Sequence, residues 1–246
     1  MVLKNLEQIH TSIRTTVGAY CQRLISALGP SIRSVSAYGS ATGPDFVPGK
    51  SNVNLVLVVT RLDQELMTGI LDVVKWGMKK RVVPPLLLTP EHITSSIDVF
   101  PIEFLEIKES QVVLHGEDAF ASIEPKSDHL RLECESQLKA ALVRTRQAYL
   151  EAGTTRRGAE LVLHASLTSL IPVFRAMLRL KGLEVPRRKA AVVAALGDAF
   201  ELVPDTFNAI LRDKAGDEKI GGKEAHHVLG KYITDLEKLS AMVDQL

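Results

Sequence analysis

Apolar residues recur at steps of three and four from Leu3 to Leu28, through Leu6, Ile9, Ile13, Val17, Tyr20 and Leu24. That spacing predicts one amphipathic helix, closed by Gly29-Pro30. The period then changes. "SIRSVSAYG" offers Ile32, Val35 and Ala37 for burial and reads as a strand, and "VNLVLVVT" is apolar enough to be a central strand covered on both faces. Asp63 can cap a helix running to about Lys80, after which "RVVPPLLLT", "IDVFPIEFLEIK" and "SQVVLHG" read as three further strands. Beyond "GEDAFASIEPKSD" nearly every segment has a helical period. Helices are predicted over 129–152, ending at Gly153, and over 158–181. Three more follow in "PRRKAAVVAALGDAF", where proline opens the first turn, "PDTFNAILRDK" and "GKEAHHVLGKYITDLEKLSAMVDQL". The order predicts an α+β fold, with a mixed-sheet domain over 1–122 and an all-α bundle over 123–246.

Composition narrows the function classes. With 46% hydrophobic and 24% charged residues, the 246-residue chain reads as an ordinary soluble protein. A net charge of +1 argues against a dedicated nucleic-acid binder, because it gives no bulk basic field. Cys21 and Cys134 follow no metal-ligand spacing and read as reduced thiols in helices. No signal core or membrane-length apolar run is evident, so the expectation is a cytoplasmic protein without a membrane partner.

The candidate chemistry lies between Tyr38 and Val59. A strand ending in Gly39-Ser40 lets backbone approach a ligand, and the turn amides and hydroxyl suit phosphate oxygens. A polar loop follows from residue 41 to 50, then "SNVNL" opens the next strand. Gly-Ser, a loop of this length, and two polar residues one apart at a strand start resemble the nucleotidyltransferase superfamily, the DNA polymerase β-like fold. "FPIEFLEIKESQVVLHGED" looks like the strand-turn-strand that follows in stand-alone bacterial members, and a C-terminal helical bundle is common there.

The resemblance implies transfer of a nucleoside monophosphate from a triphosphate to a protein or small-molecule acceptor. Two carboxylates on one strand face and a third from a later strand would hold Mg2+ beside the triphosphate. Here Asn52 and Asn54 occupy the paired positions. Alternation along "PIEFLEIK" points to Glu103 as the third carboxylate and catalytic residue of an active enzyme, with Asp98 in reserve. Asp45 could replace a missing carboxylate, and Lys50 could meet a phosphate. The adjacent His226 and His227 point about 100° apart on a helix and read as surface residues.

Three readings follow. The first is a degenerate nucleotidyltransferase that binds a nucleotide or partner through Gly39, Ser40, Lys50, Asn52 and Asn54. The second is an active metal-dependent transferase. The third is a non-catalytic scaffold, including a homodimer through the helical domain.

Overall fold

The computed structural model describes residues 3–152 and 155–246, the side chains at 152, 156, 222 and 223 excepted. Gly153, the expected end of the first bundle helix, lies outside the described residues. The chain is α+β and divides into two compact units at Pro125/Lys126.

In the first unit, α1 (Arg14–Leu28) leads into β1 (Ile32–Tyr38), and a long loop joins it to β2 (Asn54–Val59). Helices α2 (Gln64–Gly69) and α3 (Leu71–Met78) connect β2 to β3 (Leu86–Leu88). Helices α4 (Pro90–Ser95) and α5 (Pro101–Ser110) lead to β4 (Val112–Gly116). The sheet order is β3-β2-β1-β4, with β2 and β3 parallel and the other pairs antiparallel.

Strand alternation divides the sheet's apolar residues between two layers. Val35, Ala37, Leu55, Leu57 and Val59 pack with Tyr20 and Leu24 of α1, and with Ile70 and Val82. Val56, Val58 and Leu88 pack with Ile93, Phe104, Ile107, Phe120 and Ile123. β2 is therefore buried on both sides, as its unbroken apolar run predicts.

Three expectations for the first unit are corrected. The predicted helix from Leu3 begins as an α-helix only at Arg14, after 3-10 turns at Leu6–Gln8 and Thr11–Ile13. Asn5 adopts a left-handed conformation, the Lys4 N–H donates to Leu114 O at 2.9 Å, and Asn5 Nδ2 donates to Val113 O at 2.9 Å. The segment thus covers the edge of β4 instead of extending α1.

The second correction bears on function. Pro101–Ser110, expected as a strand, is helix α5. Pro101 sits in its first turn, where the missing N–H costs nothing and φ is already helical. Ile102 and Phe104, spaced by two, fit a strand face, but the full buried set of Pro101, Ile102, Phe104 and Ile107 fits one face of a helix.

The third is the helix after Asp63, which divides into α2 and α3 around Ile70. The cap itself is present, Asp63 Oδ1 accepting from the Leu66 N–H at 2.9 Å.

The second unit is a bundle of α6 (Ser127–Ala152), α7 (Arg156–Leu180), α8 (Lys189–Phe200), α9 (Asp205–Ala215) and α10 (Gly222–Val243). Pro186, expected inside α8, precedes its N-cap Arg188. α7 packs against all four other helices through Leu163, Leu167, Leu170, Phe174 and Met177. Phe174, Phe207 and Tyr232 form an edge-to-face run at 5.5 and 5.7 Å, and the Tyr232 hydroxyl donates to Ser166 Oγ at 2.9 Å. α7 is long and apolar enough to cross a bilayer by length and composition, and half of that stretch is buried.

Both cysteines are fully buried, and burial pushes each thiol up to about 12. Since only the thiolate attacks, a thiol reagent at pH 8 is expected to label neither Cys21 nor Cys134 in the native chain and both in guanidinium. Rapid native labelling of either would contradict its packing.

Candidate functional site

The site is built where β1 hands over to the Gly39–Thr42 turn beside the start of β2. Tyr38 pairs with Asn54 in the β1–β2 ladder, so the turn begins directly against the second asparagine. Gly39 has φ +74°, and a Cβ there would stand 3.2 Å from Asn54 Nδ2. Glycine is needed both for the left-handed backbone and for this close approach. The turn is tied down by Thr42 Oγ1 donating to Gly39 O at 2.8 Å and by the Gly43 N–H donating to Ser40 O at 3.1 Å.

Asn54 shares its sheet face with Val56 and Val58. It is half-buried, as is Ser40, while Asn52 is exposed. Neither asparagine side chain nor the Ser40 hydroxyl has a hydrogen-bond partner among the described residues. Tyr38 is half-buried beside them, and burial raises its phenol above the ordinary value, keeping it protonated at neutral pH. The turn and its neighbours therefore present neutral hydrogen-bonding groups.

The Gly39 amide itself is already engaged. It donates to Ser110 Oγ at 3.1 Å, and that hydroxyl donates to Glu106 O at 2.6 Å. Ser110 is the last residue of α5, so a helix C-terminus, with its partial negative charge, abuts the turn. A phosphate would find Ser40, Asn52 and Asn54 ready to donate, but would have to displace Ser110 to reach Gly39.

Glu103 lies elsewhere. It is exposed in the first turn of α5, about 10 Å along the helix axis from Ser110. The strand alternation that singled it out as a metal-facing carboxylate does not exist. Asp98 is exposed in the segment between α4 and α5, and Asp45 is half-buried in the β1–β2 loop.

Lys50 is exposed just ahead of Asn52, and its carbonyl accepts from Arg81 Nη1 at 3.3 Å. Sequence pattern announces neither Ser110 nor Arg81. Both arrive through tertiary packing; the one visible hint is the basic run Lys79-Lys80-Arg81 after a predicted helix.

The donor set does not fit magnesium. Asn52 and Asn54 offer only amides, and among the described residues no sheet strand carries an acidic residue: β3 is Leu-Leu-Leu and β4 is Val-Val-Leu-His-Gly. Val53 pairs with Val82 and Val56 with Leu86, so the stretch beside Asn54 is Val83-Pro84, and neither residue is acidic. Among the described residues no group of three or more His, Cys, Asp or Glu side chains is placed to hold a metal ion. Asparagine carbonyls serve as helpers to carboxylates in such sites, not as a full set.

No protein-family model matches the chain, and no curated protein matches it. Among solved structures it is similar to spectinomycin adenyltransferase AAD(9) from Enterococcus faecialis, whose crystal structure was determined with ATP and spectinomycin. The TM-score is 0.61 at 9% identity, over 92% of this chain and 98% of that one. At that identity the likeness is one of fold, and a small mixed sheet followed by a helical part is the architecture this chain has. The chain shares the fold of that adenyltransferase.

Proposed function

We propose that this chain is a disarmed nucleotidyltransferase, which binds a nucleoside triphosphate and transfers its nucleotide slowly or not at all. The observation that carries the reading is the character of the motif strand and its neighbour. Asn52 and Asn54 are amides where the resemblance asks for metal-binding carboxylates, and the adjoining Val83-Pro84 stretch offers no carboxylate either. The frame around the asparagines is retained, with a left-handed Gly39 against Asn54 and donors on Ser40, Asn52 and Asn54 that have no partner among the described residues. Amides and hydroxyls bind phosphate oxygens by hydrogen bonds, but they do not neutralise the charge that develops as pyrophosphate leaves.

The likeness to an adenyltransferase solved with ATP and a small-molecule acceptor favours a second reading, transfer to the hydroxyl of a small polar molecule. One experiment separates the two. ATP and GTP are titrated calorimetrically with and without magnesium, and pyrophosphate release is followed with spectinomycin as trial acceptor. The disarmed reading expects nucleotide binding with pyrophosphate at the level of a no-protein control. Magnesium-dependent release above that level would establish the second reading, and absence of any nucleotide binding would sink both.

A further inference from the structure

A cation stands at the start of β2, where this fold's chemistry would call for a metal. Helix α3 closes with the Lys80 and Val82 N–H groups donating to Gly77 O at 2.7 and 3.0 Å, and the Arg81 N–H to Met78 O at 3.2 Å. This closure requires one left-handed residue, usually glycine, and here it is Arg81 at φ +62°. The Arg81 carbonyl accepts the Val53 N–H at 2.9 Å, and the Val83 N–H returns to Val53 O at 3.1 Å. Val53 lies between the two asparagines, so the Arg81 backbone is pinned to the middle of the motif. Its guanidinium is exposed, donates to Lys50 O at 3.3 Å, and meets no carboxylate among the described residues.

Exchanging carboxylate for amide also changes what the motif can do. A carboxylate only accepts hydrogen bonds and repels phosphate, so it needs a metal as a bridge. An asparagine donates through Nδ2 directly to a phosphate oxygen. Once Asn52 and Asn54 donate, the remaining requirement is positive charge, and a guanidinium supplies it in a fork that matches phosphate geometry.

We propose that Arg81 is the phosphate-anchoring residue of this site, which takes the metal-free phosphate tail of a nucleoside triphosphate. The proposal rests on the nucleotide reading above and reverses the expected effect of magnesium. Magnesium neutralises part of the tail's charge and competes for its oxygens, so it should weaken binding here instead of enabling it.

The test titrates the full chain, Arg81→Gly and Arg81→Lys with ATP and with inorganic tripolyphosphate, each in EDTA and in excess magnesium. Both ligands are expected to bind in EDTA and more weakly in magnesium. Arg81→Gly should lose about tenfold or more in affinity for both, and Arg81→Lys should lose less. Thermal melting of Arg81→Gly should be unchanged or higher, because glycine relieves the left-handed backbone. That separates lost anchoring from lost folding. If ATP binds the parent and Arg81→Gly equally, the anchor is overturned while the nucleotide reading stands. If ATP binds only with magnesium, metal-free anchoring is overturned and a metal-using site takes its place. If neither ligand binds under any condition, the nucleotide reading falls and takes this inference with it.

Discussion

The double variant Asn52→Asp, Asn54→Asp is expected to make ATP binding magnesium-dependent and to tighten the magnesium complex about 100-fold. Two unit charges at about 4 Å interact by roughly 4 kcal/mol at an effective dielectric of about 20, and a divalent ion doubles that for each carboxylate. The hydration given up by ion and carboxylates returns most of it. About 3 kcal/mol left over corresponds to two powers of ten in affinity. In EDTA the sign reverses: two new negative charges face the phosphates, and the variant should bind free ATP more weakly than the parent. Calorimetry in the two buffers reads both effects. Pyrophosphate release is expected to stay near background, since the adjoining Val83-Pro84 stretch supplies no carboxylate. If the variant gains nothing with magnesium, residues 52 and 54 do not face the phosphates, and the Gly39 turn is not a nucleotide site.

The parts of this site legible in the sequence are those set by short-range geometry. Gly39-Ser40 and the Asn52–Asn54 alternation lie within one hairpin, and period two alone places the asparagines on one face. β2 was readable from its apolar run, and the bundle helices from their long 3.6-residue periods. Alternation failed at α5, where Ile102 and Phe104 fit a strand and a helix alike, and Pro101 in the first turn was the deciding feature. Glu103 left the site with that strand. The segment before Arg14 failed for a different reason: Lys4 and Asn5 bond to β4, and no local period reports a partner more than 100 residues away. Ser110 and Arg81 were invisible on the same ground. One reaches the site through helix packing, and the other through a backbone conformation that its side chain disfavours.

That same backbone region supplies the largest stability effect expected in this chain. Gly116 and Gly49 both have φ +75°, yet substituting alanine should affect them very differently. Around Gly49 nothing lies within 4 Å of the new Cβ, so Gly49→Ala is expected to cost only the left-handed penalty of about 1 kcal/mol. At Gly116 the Cβ would fall 1.8 Å from Arg33 O, 2.8 Å from Arg33 C and 3.0 Å from Ser34 Cα. All three are backbone atoms at the start of β1, where Ser34 pairs with Gly116, so no side chain can swing aside. Relief requires the end of β4 to separate from β1. Gly116→Ala should therefore cost more than about 4 kcal/mol, a large share of a typical domain stability of about 5–15 kcal/mol. Loosening β4 would also disturb Ser110, two residues before that strand, and with it the hydrogen bond from the Gly39 amide. Urea denaturation of the two variants side by side provides the measurement, because the shared φ cancels and leaves the backbone collision. Equal midpoints for the two would mean that β4 does not hold this register against β1, and the arrangement of Ser110 over the Gly39 turn would have to be redrawn.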